Sequence, residues 1–254
     1  MDLDGFHSRL TSLLRAIICN FAYGLSMTTY FSDASFKFLR ALAKHNDKAW
    51  FAANKQKYED HVRQPFLRLL TDLQPDLAQV SPHFRSDPKT VGGSLFRIYR
   101  DARFSNDKSP YKSWQGARLY HERRKQVPAP SFYLHLQPGE CFVGAGLWHP
   151  EPDTQRRIRQ FIVDNPGSWK AAAHAPKFRK RFEFEESEML SRPPRGFPAD
   201  FEFIDDLKHK NFVFWRLLDN GTMTGPKLRQ TLAADLAALA PFVDYLCAAL
   251  DLEF

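Results

Sequence analysis

An α+β fold in one domain follows from three observations on the sequence. Apolar residues recur at helical spacing near both ends of the chain. Between them, from Ser94 onward, they alternate with a period of two. No linker long enough to separate two domains interrupts the 254 residues. The expectation is a mostly antiparallel sheet of about five strands, flanked by N-terminal and C-terminal helices. Residues 30–254 are expected to form that domain, and residues 1–29 a poorly ordered or non-native extension.

The elements follow in order. Ser32-Asp33 can cap a helix whose residues Phe36, Leu39, Leu42 and Ala43 share a face. Asn46-Asp47 ends it and caps the next, which carries Trp50, Phe51, Asn54 and Tyr58 on one side. Pro65 bends or restarts that helix, and Phe66, Leu69, Leu70 and Leu73 carry it to about Asp76. Strand alternation then marks residues 95–100, 114–120, 131–137 and 141–148. Pro138-Gly139 joins the last two as a tight turn. That turn sets Leu134 opposite Val143 and Phe132 opposite Ala145 on a greasy face. Tyr133, His135, Phe142, Gly144, Gly146 and Trp148 fall on the other, mixed face. Helices are predicted from Asp153 and from Pro166, an irregular charged stretch over 176–210, and a strand over 211–217. Leucines from Leu228 to Leu250 step by three or four into a terminal helix that Pro241 kinks.

Composition sets the class. A hydrophobic share of 43% with 26% charged residues belongs to a soluble globular protein and excludes collagen, long coiled coil and wholesale disorder. The net charge of +7 admits an anionic partner. Three scattered cysteines, Cys19, Cys141 and Cys247, make neither a disulfide framework nor a zinc site, which suits a reducing cytoplasm. No run reaches the ~18 apolar residues of a membrane helix, so no membrane is expected as a partner. Residues 10–23 superficially resemble a signal peptide. The start is acidic, however, and no small-residue cleavage site follows. Met27 is an alternative start.

The informative stretch is residues 97–112, RIYRDARFSNDKSPYK. It sets Arg97, Arg100, Arg103, Lys108 and Lys112 against Asp101 and Asp107. Arginine forks and mobile lysines on one short loop suit an anion site. Alternation puts Phe96 and Ile98 on the apolar side, with Arg97 in a strand and partly buried. Asp101 can orient a guanidinium, or act as a base if desolvated. The same residues equally suit an internal ion-pair network that locks the loop onto neighbouring helices.

This segment resembles the signature of a mostly bacterial family known as domain of unknown function 2461, written R-x-x-R-D-x-R-F-x-x-x-K-x-P-Y-K. Arg97, Arg100, Asp101, Arg103, Phe104, Lys108, Pro110, Tyr111 and Lys112 meet its fixed positions. The resemblance extends to FLRALAKHNDKAWF, to FYLHLQPGECFVGAGLW and to the late strand. It implies one domain from about Tyr30 to the C-terminus and no established activity.

The expected site joins the loop to the mixed sheet face. Arg97, Arg100, Arg103, Lys108, Tyr111, Lys112, Tyr133 and Trp148 are its ligand-binding candidates, and Asp101 and His135 its candidate proton carriers. An anionic small molecule, phosphorylated in the favoured case, is the expected ligand, with or without chemistry. A nucleic-acid-binding module is the alternative, drawing on the basic run 177–181 and on Trp114 and Tyr120. A scaffold whose loop is an internal brace is the third. His121, His135 and His149 lie fourteen residues apart, which is no metal motif. No phosphate-binding loop, dinucleotide glycine fingerprint or nucleophile elbow is present, so neither metal nor cofactor is expected.

Overall fold

A computed structural model describes residues 28–89, 91–101, 103 and 105–254. The expectations for residues 1–26, for Met27, Cys19 and Phe104 lie outside the described residues.

The described residues open with helices α1 (Asp33–Lys44), α2 (Lys48–Tyr58) and α3 (Gln64–Val80). Ser32 caps α1 through a capping box with Ser35. Asp47 caps α2 by accepting from the Trp50 N–H at 2.8 Å. Phe38 takes the buried position on α1, and Ala43 is exposed. Pro65 does not restart the helix. A π turn over Glu59–Arg63 widens the coil, and helix runs on from Tyr58 into α3. Such a turn relieves the missing N–H and the ring clash that proline imposes on a regular helix.

The strands are β1 (Phe84–Arg85), β2 (Gln115–His121), β3 (Ser131–Leu136) and β4 (Phe142–Leu147). Helices α4 (Pro152–Asp164), α5 (Pro166–Ala173) and α6 (Pro176–Arg179) follow. Then come β5 (Glu183–Phe184), β6 (Phe212–Leu217), α7 (Asn220–Thr224) and α8 (Leu228–Ala249). The sheet order is β1-β2-β3-β4-β6-β5, with every pair antiparallel. The predicted hairpin register is the observed one: Leu134 pairs Val143 and Phe132 pairs Ala145. Gly139 closes its turn at φ +86°, a left-handed angle that suits glycine.

The expected antiparallel sheet of about five strands is present, with six strands among the described residues, two of them the two-residue edges β1 and β5. One expectation needs correction. Residues 95–100 are not a strand. Leu95 bridges Ala117 and the Phe96 N–H donates to the Gly116 carbonyl, but β2 begins at Gln115 and offers nothing beyond. The chain then pairs with its own return: Lys112 N–H donates to the Ile98 carbonyl, and Arg100 N–H to Pro110.

The core lies on the Leu134 face. Phe132, Leu134, Leu136, Val143, Phe212 and Phe214 point into it. Helix α8 packs on β4 and α3 and continues through Pro241. By length and composition α8 could cross a membrane, with mean hydropathy 1.5. That corrects the reading that no run is long enough. Its leucines nonetheless sit in this core, with Leu232, Leu236, Leu239 and Leu246 buried. Asp235 of α8, wholly buried, takes Arg216 through Nε and Nη2 at 2.6 Å each, and Arg181 at 2.9 Å. Cys141 and Cys247 are free thiols that burial pushes up to about 11 and about 12.

Candidate functional site

The outer sheet face, opposite the core, carries a row of flat side chains. His135 stacks on Phe142 at 4.6 Å and leans on Trp114 at 4.9 Å. Tyr133 touches Phe142 at 5.5 Å and Phe96 at 5.8 Å, and Phe142 meets Trp215 edge-on at 5.8 Å. Phe96 thus belongs to this face and not to the apolar side. Glycines make the row possible. A Cβ on Gly116 would strike the Tyr133 hydroxyl, and one on Gly144 would meet the Phe214 carbonyl at 2.8 Å and Trp215 Cβ at 3.0 Å. Neighbouring side chains and backbone, not a helix, occupy the space these glycines leave.

Within the row, polar atoms form a directed chain. The Gln137 side-chain oxygen Oε1 accepts from His135 Nε2 at 3.1 Å. His135 Nδ1 is therefore unprotonated and accepts the Tyr133 hydroxyl at 2.9 Å. The Gln137 amide donates to Glu140 at 2.5 Å. Burial lowers the pKa of His135, so the ring is neutral at pH 7 and both nitrogens are engaged.

The 97–112 loop abuts the Trp114 end of this row. Helix–strand contacts fix its base. Tyr58 donates to Gln115 Oε1 at 2.9 Å, and Gln115 donates to the Phe96 carbonyl at 2.6 Å. Asn46 pairs with both backbone groups of Tyr111, whose ring stacks on Phe51 at 4.1 Å. Tyr111 is buried. It is a core anchor and presents no side chain to a ligand.

The charges of the loop sort into two groups. Arg103 grips Asp101 through Nε at 2.9 Å and Nη2 at 2.7 Å, and its backbone carbonyl accepts Lys108 Nζ at 3.4 Å. Arg100 pairs with Asp107 and donates to Ser105 at 3.1 Å. Hydrogen bonds from Ser109, with Arg100 beside it, hold Asp107 down at about 2. The hydrogen bonds from Arg103 hold Asp101 below the usual range. Asp101 is exposed, so the desolvation that would make it a base is missing. These pairs lie within the loop and reach no helix. The lock on the helices is Asn46 and Phe51 instead.

The second group is Arg97 and Lys112. Arg97 is exposed rather than partly buried in a strand. Its guanidinium has no hydrogen-bond partner among the described residues. Lys112 Nζ donates to the Arg97 carbonyl at 2.7 Å and hovers 5.3 Å from the Trp114 ring and 5.8 Å from Phe96. Burial and then the charge of Arg97 lower its pKa. Among the described residues neither cation has a carboxylate in ion-pair contact, although the charge of Arg97 acts on Asp101.

Trp148 does not join the site. It is exposed beyond the far end of β4, about 20 Å along the strand from Phe142 at ~3.3 Å per residue. The basic run 177–181 is not a simple solvated face, because Phe178 is buried and Arg181 is held by Asp235.

An α+β domain with an aromatic sheet face and a cationic loop at its edge is the class that fold and site define. The chain belongs to the family described as "Conserved hypothetical protein (DUF2461)", whose model matches residues 34–245. No curated protein and no solved structure matches it.

Sequence reasoning missed Asn46 as the clamp on Tyr111, and Phe142 with Trp215 as one continuous surface. Alternation already placed Phe142 outward. The pairing of β6 with β4, which brings Trp215 alongside, left no local mark.

Proposed function

We propose that the protein binds a phosphorylated small molecule at the junction of the aromatic face and the 97–112 loop. One observation carries this reading. Arg97 and Lys112 stand together with no carboxylate in ion-pair contact among the described residues, beside the half-buried aromatic row. The two like charges act on each other, only Asp101 of the loop offsets Arg97 from a distance, and an anion between the cations relieves their repulsion. The rings of Phe96, Trp114 and Phe142 supply the flat apolar surface that the rest of such a ligand needs. Arg100 and Arg103 shape the loop through their own acids, and Lys112 and Arg97 hold the charge.

Phe142 and Trp215 extend the row across the sheet and favour a second reading, in which successive bases of a single strand stack there. The test is a titration followed by tryptophan fluorescence at low salt. The probes are adenosine monophosphate, ribose 5-phosphate and a twelve-nucleotide single strand. A monophosphate that quenches the signal, with affinity about tenfold weaker in Lys112→Met, supports the first reading. Binding only by the oligonucleotide supports the second. No response from any probe, or identical binding by the variant, ends the proposal.

A further inference from the structure

A cationic concavity lies at the other end of β2, away from the loop. It is a cleft of about 650 Å³ between β1, β2 and the segments that follow each. Arg85, Lys89, Arg124 and Lys125 line it, together with Asp87 and Glu122. Its volume falls in the ~300–1,000 Å³ typical of small-molecule sites.

The acids of the cleft are already matched. Glu122 accepts from Arg85 at 2.5 Å and contacts the His83 ring at 2.8 Å. Asp87 accepts from the Tyr120 hydroxyl at 3.0 Å and lies 3.4 Å from Lys89 Nζ. Arg124 and Lys125 have no carboxylate in contact among the described residues, and neither has Arg118, two residues before Tyr120 on the same sheet face. Arg118 stands close enough to Arg124 for the two charges to act on each other.

The geometry of Arg124 suits recognition. Its guanidinium carbon sits 3.5 Å from the centre of the Tyr120 ring, and Nη2 donates to the Gly92 carbonyl at 2.9 Å. Tyr120 is itself fixed by Asp87. Arg124 is thus held flat on its aromatic support before any ligand arrives. The remaining N–H groups of a guanidinium held this way match the two oxygens of a phosphate or carboxylate.

We propose that this cleft is a binding site for a small ligand bearing two or more oxyanion groups, gripped by Arg124 and Lys125 with Arg118 beside them. It is separate from the site at Lys112. Trp114 and Tyr120 are six residues apart on β2 and its lead-in, about 20 Å in extended chain.

Isothermal titration with pyrophosphate and, separately, citrate at low ionic strength tests it on the full chain. Expected is saturable binding, about tenfold weaker in Lys125→Gln and weaker still in Arg124→Gln/Lys125→Gln, but unchanged in Lys112→Met. Lys125 is exposed, so the single variant reports on binding even if the double variant fails to fold. Pyrophosphate binding more tightly than citrate, or the reverse, assigns phosphate or carboxylate to the site. Absence of binding by both anions overturns the proposal. So does wild-type affinity in Lys125→Gln. Loss in Lys112→Met alone would move the anion to the aromatic face, overturning this cleft while supporting the other site.

Discussion

The side-chain amide of Asn46 reaches across 65 residues of sequence to close both backbone hydrogen bonds of Tyr111. Its Nδ2 donates to the Tyr111 carbonyl at 2.9 Å, and its Oδ1 accepts the Tyr111 N–H at 3.0 Å. The amide thus pairs with Tyr111 as a neighbouring strand would, and it does so where no strand is available. Asn46→Ala leaves a donor and an acceptor unmet in a partly buried position, at about 1–3 kcal/mol for each. The expected result is a fall of about 2–6 kcal/mol in unfolding free energy. Exchange of the Tyr111 amide hydrogen should quicken at the same time. Asn46→Asp keeps the acceptor and loses the donor, so it should fall between. Equal stability of Asn46→Ala and the wild type would mean that Phe51 stacking alone anchors the loop.

What the sequence shows and hides divides along one physical line. The β3–β4 hairpin is legible because its register rests on a local turn and on period-two alternation, both properties of neighbouring residues. The helical face of Leu39, Leu42, Phe51 and Tyr58 is legible for the same reason. Residues 95–100 alternate like a strand but lack a partner beyond Gln115, and no local pattern reports the length of a neighbour. The loop charges were legible as a cluster. Which cation meets which acid was not, because Arg103 turns back to Asp101 and Arg100 reaches Asp107 through loop geometry. Trp215 and Asn46 enter the site region from distant parts of the chain, where only the tertiary fold assigns them.

His135 makes stability depend on pH in a definite direction. Burial sets its folded pKa below the ordinary 6.5. Between the folded value and 6.5 the unfolded chain binds more protons, so stability is lost as pH falls through that window. His209 is also lowered, mainly by burial, and contributes in the same sense. Chemical denaturation at pH 7.5 and pH 5 should therefore show a loss at the lower value. In His135→Gln the loss should shrink and leave the share of His209. An unchanged loss would place the whole effect on His209.

Asp235 joins α8 to β6 and to the chain after α6 by holding Arg216 and Arg181 at once. It is fully buried, Arg216 is half-buried and Arg181 is exposed. Removing the carboxylate leaves the half-buried Arg216 guanidinium without its acid, while water can take over at Arg181. Asp235→Ala should cost at most about 3–5 kcal/mol, the range for breaking one side of a buried pair. Asp235→Asn retains an acceptor and should cost less. Urea midpoints measured for both variants order the two effects. A cost under about 1 kcal/mol for Asp235→Ala would show that water replaces the carboxylate there.

Gly116 and Tyr133 should be coupled, because the phenol lies where a side chain at 116 would be. A Cβ there would strike the Tyr133 hydroxyl and come within 2.9 Å of its ring carbon, with Trp114 at 3.0 Å. Gly116→Ala must therefore push Tyr133 off the sheet or bend β2, at about 1–3 kcal/mol for an overpacked site. Displacing the ring also breaks its bond to His135 Nδ1, so the two effects arrive together. Tyr133→Phe removes the oxygen that the methyl meets first, and with it the bond to His135. Once that bond is already gone, the methyl has less left to disrupt. In a double-mutant cycle the pair should then be less destabilised than the sum of the singles, with a coupling of about 0.5–3 kcal/mol. Strict additivity would mean that the ring moves freely away from Gly116 and that the aromatic row is not held in place by these contacts.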